Sequence, residues 1–494
     1  MEKRFNLVEE EWIPVAGRGL VSLRDVFSDP ALEALGGNPL EKIALTKLFL
    51  AIAQTAHTPA DADEWLAMGA SGMASRAVEY LEEHKDCFWL YGDRPFLQMP
   101  AIMAADIQNV SAVLPFVATG NTTQVFESQK DRDLSDPEKA LVLVFLSCFA
   151  LGGKKVDAKI VLSPSYSEKS KTAKPGTCLG FQGFLHNFLF GGSLQETIWL
   201  NLFTLEEIAR MEQFPEGLGV PPWEKMPEGE DCSLARSFKN AYMGRLLPLC
   251  RFALFADENF HYVEGIFHPG YKDGAFDPSM AVDNTKKPRV LWVDPEKRPW
   301  RELTSLLSFI QADSPRSFDC PQLRSGILKA RKGGPGSFKI WSGGLRVSSN
   351  AGEQYVSGAD DFVESEIRLS SQWLGETWLA SLKGEMDALE GLARSVYGSS
   401  LAYFKHQKAD GKKQAAQASN LFWQLSERNF QDLVDVCGSD IDGGAHGMRP
   451  RFADCARTAF NTFCPRDTAR QMEAWAANRP NLSKYLKNGN SNCP

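Results

Sequence analysis

The side chains able to do covalent chemistry are scattered rather than grouped. Histidines stand at positions 57, 84, 186, 261, 268, 406 and 446. Only His261 and His268 come close, in a Gly/Pro-rich stretch where they would serve as turn residues or as one edge of a metal site. The ten cysteines include no Cys-x-x-Cys pair, so structural zinc is not expected. Cys148, inside the apolar run Phe145–Phe149, reads as a buried thiol. There is no Gly-x-x-x-x-Gly-Lys-Ser/Thr loop, no Gly-x-Gly-x-x-Gly fingerprint, no His-Glu-x-x-His and no Gly-x-Ser-x-Gly elbow. No spacing among the acidic residues singles out a catalytic pair. The chain therefore reads as non-catalytic, with no catalytic residue, metal ligand or cofactor assigned.

Other segments have residue types suited to nucleic acid. In Gly152-Gly153-Lys154-Lys155 the glycines permit close backbone approach to a groove and the lysines can neutralise phosphates, although Gly-Gly also ends many helices. Gly343-Gly344-Leu345-Arg346-Val347-Ser348-Ser349-Asn350 is a polar turn with one cation. Lys405, Lys408, Lys412 and Lys413 fall in one loop between helices. There they would hold a strand by counterion release, without reading sequence, or form a merely solvated loop. Asn121–Lys130 is polar around one aromatic, Phe126. Against this, the net charge is −8, which argues against a stand-alone nucleic-acid binder and suits a subunit whose cations are concentrated locally.

The elements that must position these segments are partly legible. With 494 residues, 43% hydrophobic and 23% charged, the chain has material for two or three domains. Asn38, Pro39 and Glu41 sign a helix start, with Ile43, Leu48, Leu50 and Ile52 on a broad apolar face. Further helices are expected near 62–84, 136–151 (ending at Gly152-Gly153), 196–212 and 299–311, and a strand at Val290–Val293. Residues 154–176, with six lysines against two acids, read as an exposed, mobile loop. From 324 to 339 the chain carries Arg324, Lys329, Arg331, Lys332 and Lys339 and no acid. From about Phe362, Leu374, Trp378, Leu382, Met386, Leu389, Leu392 and Val396 recur at helical spacing, and helices follow near 409–437, 447–463 and 466–478. The expected fold is α+β: a mixed α/β domain over 1–361 and an all-α four-helix bundle over 362–494. The charged start (Glu2-Lys3-Arg4) has no signal-peptide apolar core and no run reaches the roughly 18 residues of a membrane span, so a soluble, cytoplasmic protein is expected.

Residues 88–100, Phe-Trp-Leu-Tyr-Gly-Asp-Arg-Pro-Phe-Leu-Gln-Met-Pro, form a short aromatic strand, a Gly-Asp turn and a second apolar piece. With Glu11-Trp12-Ile13-Pro14 and the helix over Leu40–Gln54, this run resembles the N-terminal signature of the CasA family, the large subunit of the type I-E CRISPR surveillance complex Cascade. The likeness is strongest over residues 5–100. It implies a non-catalytic subunit of an antiviral ribonucleoprotein. That subunit recognises the protospacer-adjacent motif (PAM) in double-stranded DNA, helps open the duplex for the guide RNA and offers a docking face to the effector helicase-nuclease. Its partners would be the other Cascade subunits, the guide RNA, target DNA and that nuclease, with no membrane.

By the same resemblance, the Asn121–Lys130 loop reaches the guide RNA, where Phe126 would stack on an unpaired base or fold back into its own domain. Gly152–Lys155 corresponds to a glycine loop meeting the PAM from the minor groove. Gly343–Asn350 corresponds to a segment leading into a wedge beneath the PAM. The familiar wedge carries a glutamine. Here Ser348, Ser349 and Asn350 stand in its place, so the loop opens DNA differently or Gln354 takes the part. A lysine expected before the turn Gly265–Pro269 is missing, since Asp257-Glu258-Asn259 stands there, and the cysteine cluster of some relatives is also missing. Two other readings stay open: a scaffold of a different ribonucleoprotein, and a metal-dependent hydrolase built on His261 and His268.

Overall fold

The computed structural model describes residues 2–110, 133–149, 160, 162, 183–256, 259–283, 287–311, 318–346, 362–438 and 444–487. The chain divides into two compact units. One is Met1–Pro299 with Arg316–Glu366, and the other is Trp300–Pro315 with Ile367–Pro494.

In the first unit the N-terminal strand Arg4–Asn6 pairs antiparallel with Trp89–Tyr91, matching Arg4 to Tyr91 and Asn6 to Trp89. The aromatic run thus anchors the chain start. Phe88, Phe96 and Trp223 pack together with ring centroids 5.2 to 6.0 Å apart. The piece after Pro95 is a turn rather than a strand, because Gln98 bonds the Leu90 carbonyl and the Phe255 N–H and so folds it onto two neighbours. Helix Pro39–Ala56 starts as its sequence predicts. The Asn38 side chain accepts from the Leu40 and Glu41 N–H groups, while Glu41 accepts from the Asn38 N–H at 2.9 Å. Such a cap is worth about 1 kcal/mol. This helix is buried nearly all round, as befits the core of the unit.

Helix Ala62–Glu83 bends at Gly69, whose φ of 61° is left-handed and favours glycine. Its Trp65 stacks on Trp199 at 4.0 Å, and each indole N–H donates to the other residue's carbonyl. Besides two-stranded pairings there are two three-stranded sheets. One orders Ile107–Gln108, Asn259–Glu264 and Arg251–Ala256, and the other Phe362–Ser370, Ser337–Leu345 and His186–Phe190.

Some predicted helices are shorter or broken, each for a local reason. The 136–151 helix is Asp136–Cys148, because Phe149 turns extended to place its ring against Phe145 and His186. The 196–212 helix is two, Leu194–Asn201 and Leu205–Ala209, the second with its own Thr204/Glu207 capping box. Residues 299–311 are short helical turns, and the strand at 290–293 is reduced to Arg289–Val290.

The second unit is helical. Glu376–His406 buries Trp378, Leu382, Met386, Leu389, Leu392 and Val396, the stripe read from the sequence. It packs against Lys412–Glu427, Phe430–Gly438, Gly444–Phe463 and Ala469–Ala477. The expected 409–437 helix is thus two helices. Arg449 holds Glu385 through two nitrogens at 2.7 and 3.1 Å. Arg301 lies 3.9 Å from the centre of the Trp423 ring.

Candidate nucleic-acid interface

Phe126, Gly152, Gly153, Lys154, Lys155, Ser348, Ser349, Asn350 and Gln354 lie outside the described residues, as does the 154–176 stretch apart from residues 160 and 162. The structure does describe the ground from which the two glycine segments depart. Phe149, the last described residue before Gly152, has its ring edge-on to His186 with centroids 6.2 Å apart. Gly343 is the register partner of that same His186 across the sheet. Phe149 and Gly343 thus both neighbour one histidine. Arg346 follows three residues past Gly343, about 10 Å along an extended chain, and is half-buried. Gly343 has to be glycine: a Cβ there would come 2.6 Å from the Trp341 ring and 3.2 Å from the Val363 carbonyl.

His186 is fixed from below by a buried polar chain. Its Nδ1 lies 2.8 Å from the Ser279 hydroxyl, which donates to Asp277 Oδ1 at 2.6 Å. Asp277 Oδ2 takes the ammonium of Lys47, which also donates to the Arg245 carbonyl at 2.7 Å. Lys47 and Asp277 side chains are each only 1% exposed. Burial pushes the His186 pKa down to about 4, with Asp277 opposing and Lys47 assisting, so the ring is neutral near pH 7. Burial by itself would raise the Asp277 carboxyl, but Lys47, His186 and Ser279 outweigh it and hold it below the usual range. The hydroxyl sits between imidazole and carboxylate, the reverse of the order that activates a serine nucleophile. This network fixes the histidine that Phe149 and Gly343 neighbour.

The histidine pair does not form a metal edge. His261 Nδ1 is 2.8 Å from the Ala105 carbonyl, and His268 is held between Arg245 Nη1 at 2.8 Å and the Pro248 carbonyl at 2.6 Å. Burial, then the Arg245 guanidinium, push the His268 pKa well below its ordinary value. Among the described residues no three His, Cys, Asp or Glu side chains are placed to hold a metal ion.

Lys405, Lys408, Lys412 and Lys413 are all exposed, but they do not share a loop: Lys405 is in the last turn of helix Glu376–His406, Lys408 is in the short connection, and Lys412 and Lys413 begin helix Lys412–Glu427. Gly411 is pressed against Phe404, and the Ala409 N–H closes back on the Phe404 carbonyl at 3.0 Å. The other basic run is largely spent on structure. Lys329 is buried on Glu207, Arg324 pairs with Asp319 and Lys339 with Glu366. Arg331 and Lys332 remain exposed.

The family model for CRISPR-associated protein Cse1 matches residues 6–471. The chain belongs to the Cse1 family. The match contains both N-terminal signature segments and all the candidate residues, in agreement with the CasA resemblance. The CasA/Cse1 protein of Thermus thermophilus is 29% identical over 167 residues, an alignment spanning 31% of this chain and 32% of that relative. Thermobifida fusca Cse1 superposes with a TM-score of 0.78 at 19% identity, covering 98% of each chain. A chain from a structure of a CRISPR RNA-guided surveillance complex aligns with a TM-score of 0.65 at 13% identity, covering 96% of this chain and 98% of that one. The Cse1 fold is thus shared along nearly the whole length. No helix among the described residues is long and apolar enough to cross a membrane.

Proposed function

We propose that this Cse1 chain is the large subunit of a type I-E Cascade complex, where it recognises the PAM in double-stranded DNA and starts strand separation. The observation that carries the reading is the Cse1 family match over residues 6–471, which contains both candidate segments. The Phe149 ring and the Gly343 backbone both neighbour His186, three residues before Gly152 and Arg346 respectively. One segment can follow the minor groove and neutralise phosphates while the other inserts beneath the PAM, offsetting an unstacking cost of about a few kcal/mol with its own contacts. The guide RNA then reads the sequence, so the protein needs only the short duplex element. Phe126 belongs at the guide RNA, Lys405, Lys408, Lys412 and Lys413 on the displaced strand, and the second, helical unit serves as the family's four-helix bundle. The partners are the other Cascade subunits, the guide RNA and the effector helicase-nuclease. The work is non-catalytic antiviral defence in the cytoplasm.

The test is alanine at Ser348–Asn350, and separately at Gly152–Lys155, in a guide-loaded complex probed with duplexes that do or do not carry the preferred PAM. Both variants are expected to lose the preference while keeping the complex intact. Full retention of the preference in both would leave only the scaffold reading.

A further inference from the structure

Arg245 is the most deeply buried cation of its kind in the chain, with 0% of the residue exposed. The two other buried arginines each hold a carboxylate. Arg251 reaches Glu264 at 2.8 Å, and Arg449 takes Glu385 through two nitrogens. Arg245 differs from both. Its Nη1 donates to His268 Nδ1 at 2.8 Å, and His268 Nε2 donates in turn to the Pro248 carbonyl at 2.6 Å. A guanidinium can only donate and a carbonyl only accept, so this imidazole is the neutral Nε2–H tautomer and carries no compensating charge. The charged groups that act on His268 are Arg245 and Lys239, both cations. Asp277 reaches this region only through Lys47, whose ammonium neutralises it while also donating to the Arg245 carbonyl. Among the described residues, Arg245 Nε and Nη2 have no hydrogen-bond partner.

We propose that the Nε/Nη2 edge of Arg245 binds one small planar oxyanion, of the carboxylate or bicarbonate class, inside the first unit. These two nitrogens share one edge of the guanidinium, and their parallel N–H groups match two oxygens of such an anion. Arginine stays ionised when buried, so it does not escape the cost of an unpaired interior charge by losing a proton. Water can satisfy the two N–H groups but leaves the charge uncompensated, whereas an anion does both. The site joins two pieces of the fold. Arg245 lies on the short helix Met243–Leu246, and His268 lies in the turn that follows the hairpin of strands Arg251–Ala256 and Asn259–Glu264. The anion thereby holds the base of that hairpin. This site does not depend on the PAM reading.

The test uses the full chain with formate as the probe. Equilibrium dialysis against radiolabelled formate is expected to show one anion bound per chain. Thermal melting is compared in formate and in isethionate, a bulkier sulfonate, at equal ionic strength. The melting temperature is expected to rise by about 2 °C for each tenfold increase in formate above its dissociation constant. Arg245→Met removes the charge, and is expected to bind no formate and to melt alike in both salts. Arg245→Lys keeps the charge but not the fork, and is expected to bind formate about tenfold more weakly. An unaltered chain that binds no formate and melts alike in both salts would overturn the site and assign the fork to water. Formate binding that Arg245→Met leaves unchanged would overturn it equally.

Discussion

Replacing Lys47 by methionine removes the one ammonium that compensates Asp277 in the centre of the first unit. Both side chains are essentially sealed from water, so no solvent screens the carboxylate left behind. Removing one partner of such a pair costs about 3–5 kcal/mol, whereas replacing both by uncharged groups of similar volume is close to neutral. Lys47→Met is therefore expected to lower the unfolding free energy of this unit by about 4 kcal/mol, and Lys47→Met combined with Asp277→Asn to recover most of it. The pH dependence has a definite sign. In the unaltered protein the Asp277 carboxyl lies below its ordinary range. Its stabilisation is thus present above the unfolded-state pKa, about 3.9, and lost as the pH falls through the folded value. In Lys47→Met the largest group opposing burial is gone, only His186 and Ser279 remain, and the folded pKa is expected to rise above the unfolded one. The variant's deficit should then shrink between pH 8 and pH 5 as Asp277 takes up a proton. Urea denaturation of the single and double variants across that range reads all of this. A cost below about 1 kcal/mol with no rescue by the second substitution would refute the reasoning.

His186, with its pKa lowered from 6.5 to about 4 by burial, binds a proton more readily unfolded than folded. Stability is expected to fall by about 3 kcal/mol as the pH drops from about 6.5 to 4, with His268 adding in the same direction, and a flat profile by chemical denaturation would contradict this. Gly343→Ala drives a methyl into the Trp341 ring. It should cost about 1–3 kcal/mol by thermal melting and weaken duplex binding by the assembled complex, because the strand that carries Arg346 shifts.

The most legible parts of the chain were those specified locally. Asn38, Pro39 and Glu41 announced their helix because a cap is written within four residues, and the 376–406 helix followed from its apolar stripe. Glu11–Pro14 and the aromatic run at 88–100 carried the family resemblance, and the Cse1 match spans both. The break before Leu205 was hidden because an internal Thr/Glu capping box also fits a continuous helix. The buried network around His186 left no trace at all. Lys47, His186, Asp277 and Ser279 come from distant parts of the chain and meet only through packing. For the same reason Lys329 looked like one member of a basic run until its partner, Glu207, was in view.

The central claim is most directly tested by selecting short duplexes with a randomised PAM on a guide-loaded complex assembled with and without this chain. The account predicts that a subset of PAM sequences is enriched only when the chain is present. Equal binding and the same preference in its absence would contradict PAM recognition by this subunit and leave it a scaffold.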